Sequence, residues 1–375
     1  MTDIDPAAAT FENDPDAIPV SQSTLQSMRI AKVFHDNDQP ITSLSFDDAG
    51  EYSITTSSDE SLHLYDCRYG QLRKTLFSKK YGADLARFTH HSSNIIYASA
   101  KGSDHALRYL SVHDNRYLAY FSGHEDRVVG LYMSPTDDSF LSASLDRTAR
   151  LWDLRTPQCQ GLLHLPELAS APCVAYDPCG LVFAAAVGTY GTVRLYDIKN
   201  YDGGPFSTFK LTGVLQAAAG NDAPIQWTAV KFSSDGKRLL LVSAADAHCI
   251  VDSFSGELLY RLMGHTPVVD STGEEVCFTP DGQFVLSGSQ DGTIYCWKLD
   301  ATSPSQCVTL QPLCTLEGHL DVSRIVNFNP RYAMMATGCS DLFLTLGSQF
   351  LRAYPGGQNL SDLTAKGTRL FGDHG

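Results

Sequence analysis

Basic residues are scarce in this 375-residue chain: Lys and Arg total 28 against 42 Asp and Glu, a net charge of -14. That sign excludes a protein that grips a phosphate backbone with its general surface, so no direct nucleic-acid contact is expected. Long apolar runs are missing as well. The longest, Leu181 to Val187, falls far short of the ~20 residues that span a bilayer as a helix, and no membrane association is expected. Residues 1–28 hold five acidic side chains and no Lys or Arg, which is the opposite of a secretory signal's basic start; the chain is expected to stay inside the cell. The ten cysteines include no C-x-x-C pair, and the two closest, Cys173 and Cys179, have no His near them. Zinc-ligand spacing is thereby excluded. The thiols read as reduced and mostly buried, with no metal or cofactor to expect. What remains is 43% hydrophobic residues against 19% charged, enough to bury a large core and incompatible with a wholly disordered or collagen-like chain.

A length of 375 allows two or three domains at ~150 residues each, but an internal repeat overrides that count. An apolar strand, a Ser/Thr-rich stretch ending near Asp, and a strand ending in an aromatic residue and Asp recur along the chain. Clear copies are Tyr52 to Asp66 (YSITTSSDESLHLYD), Phe140 to Asp153 (FLSASLDRTARLWD) and Phe284 to Trp297 (FVLSGSQDGTIYCW). Leu181 to Asp197 and Leu239 to Asp252 are weaker, and Ile95 to Val112 and Tyr332 to Leu346 the most eroded. Tyr65 and Trp297 stand five repeats apart, a mean period of about 46, near the ~40–45 residues of WD repeats. Gly-His pairs at Gly123-His124, Gly264-His265 and Gly318-His319 precede the third, sixth and seventh units, as in that repeat. Short runs rich in Val, Ile, Tyr and Phe between Gly, Asp and Ser read as strands, and no segment carries a convincing helical period. The predicted fold is all-β: a seven-bladed WD40 β-propeller.

Unit seven offers three strands, Val322 to Phe328, Ala333 to Thr337 and Phe343 to Leu346, while Arg29 to Phe34 lies unpaired before unit one. This N-terminal run is expected to close blade seven and remove an open sheet edge. The propeller is placed at 23–350, between an acidic, Pro-punctuated, disordered segment 1–22 and a flexible tail 351–375. Two stretches lengthen loops: Thr212 to Pro224 between blades four and five, and Asp300 to Pro312 in the sixth.

His124, Ser142, Asp146 and Trp152 include the residue types of a hydrolytic triad. His265, Ser287, Asp291 and Trp297 repeat the set in unit six, and His319, Thr337 and Asp341 give a Trp-less version in unit seven. A catalytic triad occurs once, whereas a structural device recurs with its repeat; buried groups of this kind persist when they satisfy one another. The sets are read as hydrogen-bond networks pinning blades, and no catalytic residue is assigned. Gly188-Thr189-Tyr190-Gly191 lacks phosphate-loop spacing, and Asp47-Asp48 and Asp137-Asp138 sit in turn contexts. Arg68 to Arg87 is a basic island in an acidic chain, with Arg73, Lys74, Lys79, Lys80 and Arg87 as candidates to meet an acidic or phosphorylated partner. Protection of an exposed edge strand is the favoured reading of such charges.

Leu64 to His90, Ala106 to Leu165 and Gly204 to Lys210 carry the features FSKKYG, RYLSVHDN and RTPQCQG, which depart from a general WD consensus. In these segments the chain resembles the WD repeat-containing protein 82 family, roughly from Thr24 to Phe350. The resemblance implies a non-catalytic, nuclear scaffold subunit of the COMPASS complex, which methylates histone H3 on lysine 4, with the methyltransferase catalytic subunit as partner. It further implies, in fungi, a place in the cleavage and polyadenylation factor with its phosphatase subunits, and in animals in a protein phosphatase 1 complex of transcription termination. Outside such complexes the chain is expected to be a monomer. Trp152-Asp153-Leu154-Arg155 resembles the WD-x-R signature of cullin-type ubiquitin ligase adaptors, a second reading. A hydrolase working through the propeller channel is the alternative of a different class.

Overall fold

A computed structural model describes residues 20–165, 171–187, 191–211, 227–300, 304 and 306–347. The expected insertion at 212–224, the tail from 351 and the acidic segment before residue 20 lie outside the described residues.

Seven antiparallel units form a closed ring. Each runs from an innermost strand outward; blade one, for example, comprises Ile41–Phe46, Tyr52–Ser57, Ser61–Asp66 and Gln71–Phe77. Middle strands such as Met334–Gly338 are buried throughout, while the outer strand Gln71–Phe77 buries Leu76 alone. Strands covered on both faces read as continuous apolar runs, and half-covered ones do not. A separate apolar cluster fills each junction between neighbouring blades, as where Ile54, Leu62 and Leu76 of blade one meet Ala86, Phe88 and Tyr97 of blade two.

Closure follows the strand count. Met28–Phe34 pairs antiparallel with Leu342–Gly347, from Met28 opposite Gly347 to Phe34 opposite Leu342, and forms the outer strand of blade seven. Blade seven is then tied to blade one: Ile41 N–H donates to the Cys339 carbonyl (2.6 Å), and the Asn329 side-chain amide donates to the Gly50 carbonyl (2.8 Å).

Two features depart from expectation. The boundary placed at residue 22 falls inside ordered structure: Ser21 caps a five-residue helix, Gln22–Gln26, its hydroxyl accepting from Thr24 N–H at 3.1 Å. Leu25 of that helix is fully buried beside Met28, Phe284 and Leu286, so apolar burial extends the fold to Val20. The Asp300 to Pro312 stretch does not simply lengthen blade six. Its Val308–Leu310 pairs in parallel with Leu258–Met263 and becomes a fifth strand of blade five, leaving blade six the three-residue outer strand Cys314–Leu316.

Candidate functional site

In blade three the four residues singled out are brought together. The Trp152 indole N–H donates to Ser142 Oγ at 2.8 Å; Ser142 Oγ lies 2.7 Å from His124 Nε2, and His124 Nδ1 lies 2.8 Å from Asp146 Oδ2. The one orientation that satisfies every group sends donors from Trp to Ser to His to carboxylate. Asp146 also accepts from Thr148 Oγ1 (2.6 Å), Thr148 N–H (2.9 Å) and Glu125 N–H (3.1 Å). Burial pushes the His124 imidazole below its usual pKa despite that carboxylate. Burial would raise Asp146, but its hydrogen bonds from Thr148 and His124 outweigh this and hold it low. The connectivity is that of a hydrolytic triad, yet Ser142 is completely buried and already accepts from Trp152. A nucleophile needs an approach for its substrate, and this serine has none.

Blade six does not repeat the network. Among the described residues neither ring nitrogen of His265 has a hydrogen bond of good geometry; the ring stacks on His248 at 4.2 Å. His248, from blade five, takes Ser287 Oγ at 3.2 Å, Trp297 donates to the Met263 carbonyl at 3.0 Å, and Asp291 accepts from Tyr295. The cause is loop length: His265 precedes Ser287 by 22 positions, whereas His124 precedes Ser142 by 18. Blade seven departs too. His319 Nε2 lies 3.0 Å from Thr337 Oγ1, but its Nδ1 meets Cys339 Sγ (3.2 Å), and Asp341 pairs with His35 instead (2.8 Å). Thr337 pairs with Phe343, six positions on, where Ser142 pairs with Arg150, eight on. The shorter hairpin carries the carboxylate away from the histidine. Neither His248 nor Cys339 was singled out from sequence: His248 acts across the junction of blades five and six, and Cys339 stands at the position that Ser144 and Ser289 hold in the other units.

These buried imidazoles predict acid sensitivity. Burial drives both His265 and His319 down to about 4, whereas in an unfolded chain they protonate near 6.5. Their contribution is complete above pH 6.5 and drains away as pH falls from 6.5 to 4, at about 1.4 kcal/mol per pH unit for each group. Urea midpoints at pH 7.5 and 5.5 should show the loss, and His265→Gln should reduce it; a midpoint independent of pH over that range refutes the account.

A cavity of about 370 Å³ opens at the channel mouth, lined by the starts of all seven inner strands, including Ile41, Asp84, Val128, Trp227 and Ile325. Its charges are unequal in freedom. Asp84 is paired with Arg127 (3.0 Å). Glu275 is buried, which raises its pKa although Ser271 and the Gly273 N–H donate to it. Asp270 is exposed, with a left-handed backbone (φ 57°), a conformation uncommon outside Gly, Asn and Asp. Exposed Val269 stands next to it in the loop. Elsewhere in the channel, partly buried Arg87 of blade two reaches Glu274 of blade six in an ion pair and donates to the Leu131 carbonyl (3.2 Å). The inner strands are thus strapped together across the ring's centre. Sequence inspection missed this mouth because its residues come from seven separate blades.

The model of the WD domain, G-beta repeat, matches residues 28–66, 115–153 and 256–298. Over 326 residues the chain is 41% identical to WD repeat-containing protein 82 of Drosophila melanogaster, covering 87% of this chain and 96% of that protein. This chain belongs to the WD repeat-containing protein 82 family. It is also 37% identical over 335 residues to the Set1 complex component swd2 of Schizosaccharomyces pombe (80% of this chain, 90% of that protein), and 36% over 330 residues to the COMPASS component SWD2 of Saccharomyces cerevisiae (85% and 95%).

In this member of the family the basic island divides. Arg87 has to be withdrawn as a partner-contact candidate, because it lies on an inner strand and its guanidinium is spent in the channel. Arg73 is held by Asp66 (2.8 Å) within its own blade. Lys74 donates to the His113 carbonyl of blade two (2.7 Å), and Lys79 and Lys80 remain exposed. Arg155 of the WD-x-R run folds back on Asp153 (Nε to Oδ1, 2.8 Å).

Proposed function

We propose that this chain is a non-catalytic scaffold subunit of a COMPASS-type histone H3 lysine-4 methyltransferase complex in the nucleus. One observation carries the reading: two fungal proteins that it matches over nine-tenths or more of their length are named as components of the Set1 complex and of COMPASS. The chemistry of the fold agrees with it. The polar constellation of blade three is consumed in packing, while the channel mouth offers an open concavity with an exposed carboxylate at Asp270 and apolar Val269 beside it. A segment of the methyltransferase catalytic subunit is assigned to that mouth. By the family resemblance the same propeller also serves a cleavage and polyadenylation factor with its phosphatase subunits in transcription termination, and is a monomer outside its complexes.

Affinity purification of the tagged native protein should recover methyltransferase subunits. Asp270→Asn removes the charge and tolerates the left-handed backbone; it should lower recovery about tenfold, equivalent to ~1.4 kcal/mol, at unchanged melting temperature. Undiminished recovery from the variant would move the docking site off the channel mouth. Absence of methyltransferase subunits from the wild-type eluate would sink the scaffold reading itself.

A further inference from the structure

The outer edges of blades one and two carry a surface that the scaffold reading leaves unused. Lys74, Lys79 and Lys80 have no carboxylate within 4 Å among the described residues, unlike Arg68 and Arg73, which are held by Glu51 and Asp66. The Lys74 bond to the His113 carbonyl joins the outer strand Gln71–Phe77 to the turn before Arg116–Phe121, so the surface is continuous across the two blades. Aromatic rings alternate with the cations. Lys79 Nζ sits 5.5 Å from the Phe77 centroid and Lys80 Nζ 4.7 Å from that of Tyr81; Arg108 lies 3.5 Å from the Tyr81 centroid and 5.3 Å from that of Tyr120. Phe77 is 59% exposed and Tyr120 48%. Nearby carboxylates are engaged: Asp104 by Arg108, Glu60 by Lys101 and Asp114 by His113.

We propose that this surface binds single-stranded RNA. Edge protection accounts for the lysines but not for the rings, since exposed aromatics on an edge invite the association that edge charges prevent. A phosphopeptide site draws on arginine forks, and Arg68, Arg73 and Arg108 are spent on carboxylates, which leaves exposed Arg116 as a single arginine rather than a cluster. The other free cations are lysines, point charges able to follow a backbone, and Lys79 and Lys80 lie beside rings on which bases can stack. Unpaired bases available for stacking are presented chiefly by RNA. A net charge of -14 keeps the footprint local: three lysines neutralise three phosphates, which sets a salt slope of about -2.

The test uses the purified full chain without partners, so its outcome is separable from that of the scaffold reading. Anisotropy of labelled 15-mer oligo(U) should report binding that weakens about twentyfold between 50 and 200 mM salt. Lys79→Glu with Lys80→Glu should weaken it more than tenfold, and Phe77→Ser with Tyr120→Ser about tenfold, at unchanged melting temperature. If the double ring variant melts early, Phe77→Ser alone serves, because that ring is mostly in solvent. Three results overturn the proposal: no oligo(U) binding at 50 mM salt, ring variants that bind like wild type, or retention of oligo(dT) or a doubly phosphorylated serine peptide in place of oligo(U).

Discussion

A chain lacking residues 1–34 is expected to aggregate on purification or to melt far below the intact protein, whereas one lacking residues 1–19 keeps the helix Gln22–Gln26 and the closing strand. The longer deletion removes Leu25, Met28, Ala31 and Phe34, all buried against blades six, seven and one. At about 1.5–3 kcal/mol for each of the three large side chains, the loss is roughly 5–9 kcal/mol, comparable to the whole stability of a typical domain, about 5–15 kcal/mol. It also bares the ladder of Leu342–Gly347, a template for pairing with other chains. Calorimetry of the two truncations decides the matter. Equal melting temperatures would mean that another segment supplies the outer strand of blade seven.

Asp146→Ala is expected to cost about 3 kcal/mol, and Asp291→Ala less than about 1 kcal/mol, although the two aspartates hold the same place in the repeat. Asp146 is the acceptor for His124, Thr148 and Glu125, and removing it strands the buried donors of His124 and Thr148. Asp291 is exposed, and its side-chain partner is Tyr295 rather than His265. Denaturant unfolding of both variants tests the contrast. Partner recovery below the melting transition should be unchanged in each. Loss of binding by Asp146→Ala at full stability would instead make that residue part of an interface.

The comparison of these aspartates shows how far local pattern reaches. In blade three the residue types at the right spacing were enough to identify the network, because the His loop and the hairpin both have the length the geometry requires. The same types in blade six fail to meet, since four extra residues displace His265 and a histidine from blade five enters the space. In blade seven a hairpin shorter by two residues hands the role of Asp341 to Cys339. Arg87 illustrates a different gap: six cations in twenty residues look alike in sequence, and their fates separate only when the strands take their places in the ring.

Alternating and continuous apolar runs, with turn residues between them, determined the seven strand units and, through the missing fourth strand of the last one, the use of the N-terminal run as closure. These are local properties, set by side-chain period and backbone hydrogen bonding within a few residues. The tertiary structure alone decided that Val308–Leu310 joins blade five, that Arg87 crosses to Glu274, that seven strand starts enclose the channel mouth, and that Arg108 of blade two packs on Tyr81 beside the lysines. Each depends on distances between residues far apart in the chain, which exist only once the blades have packed and the ring has closed.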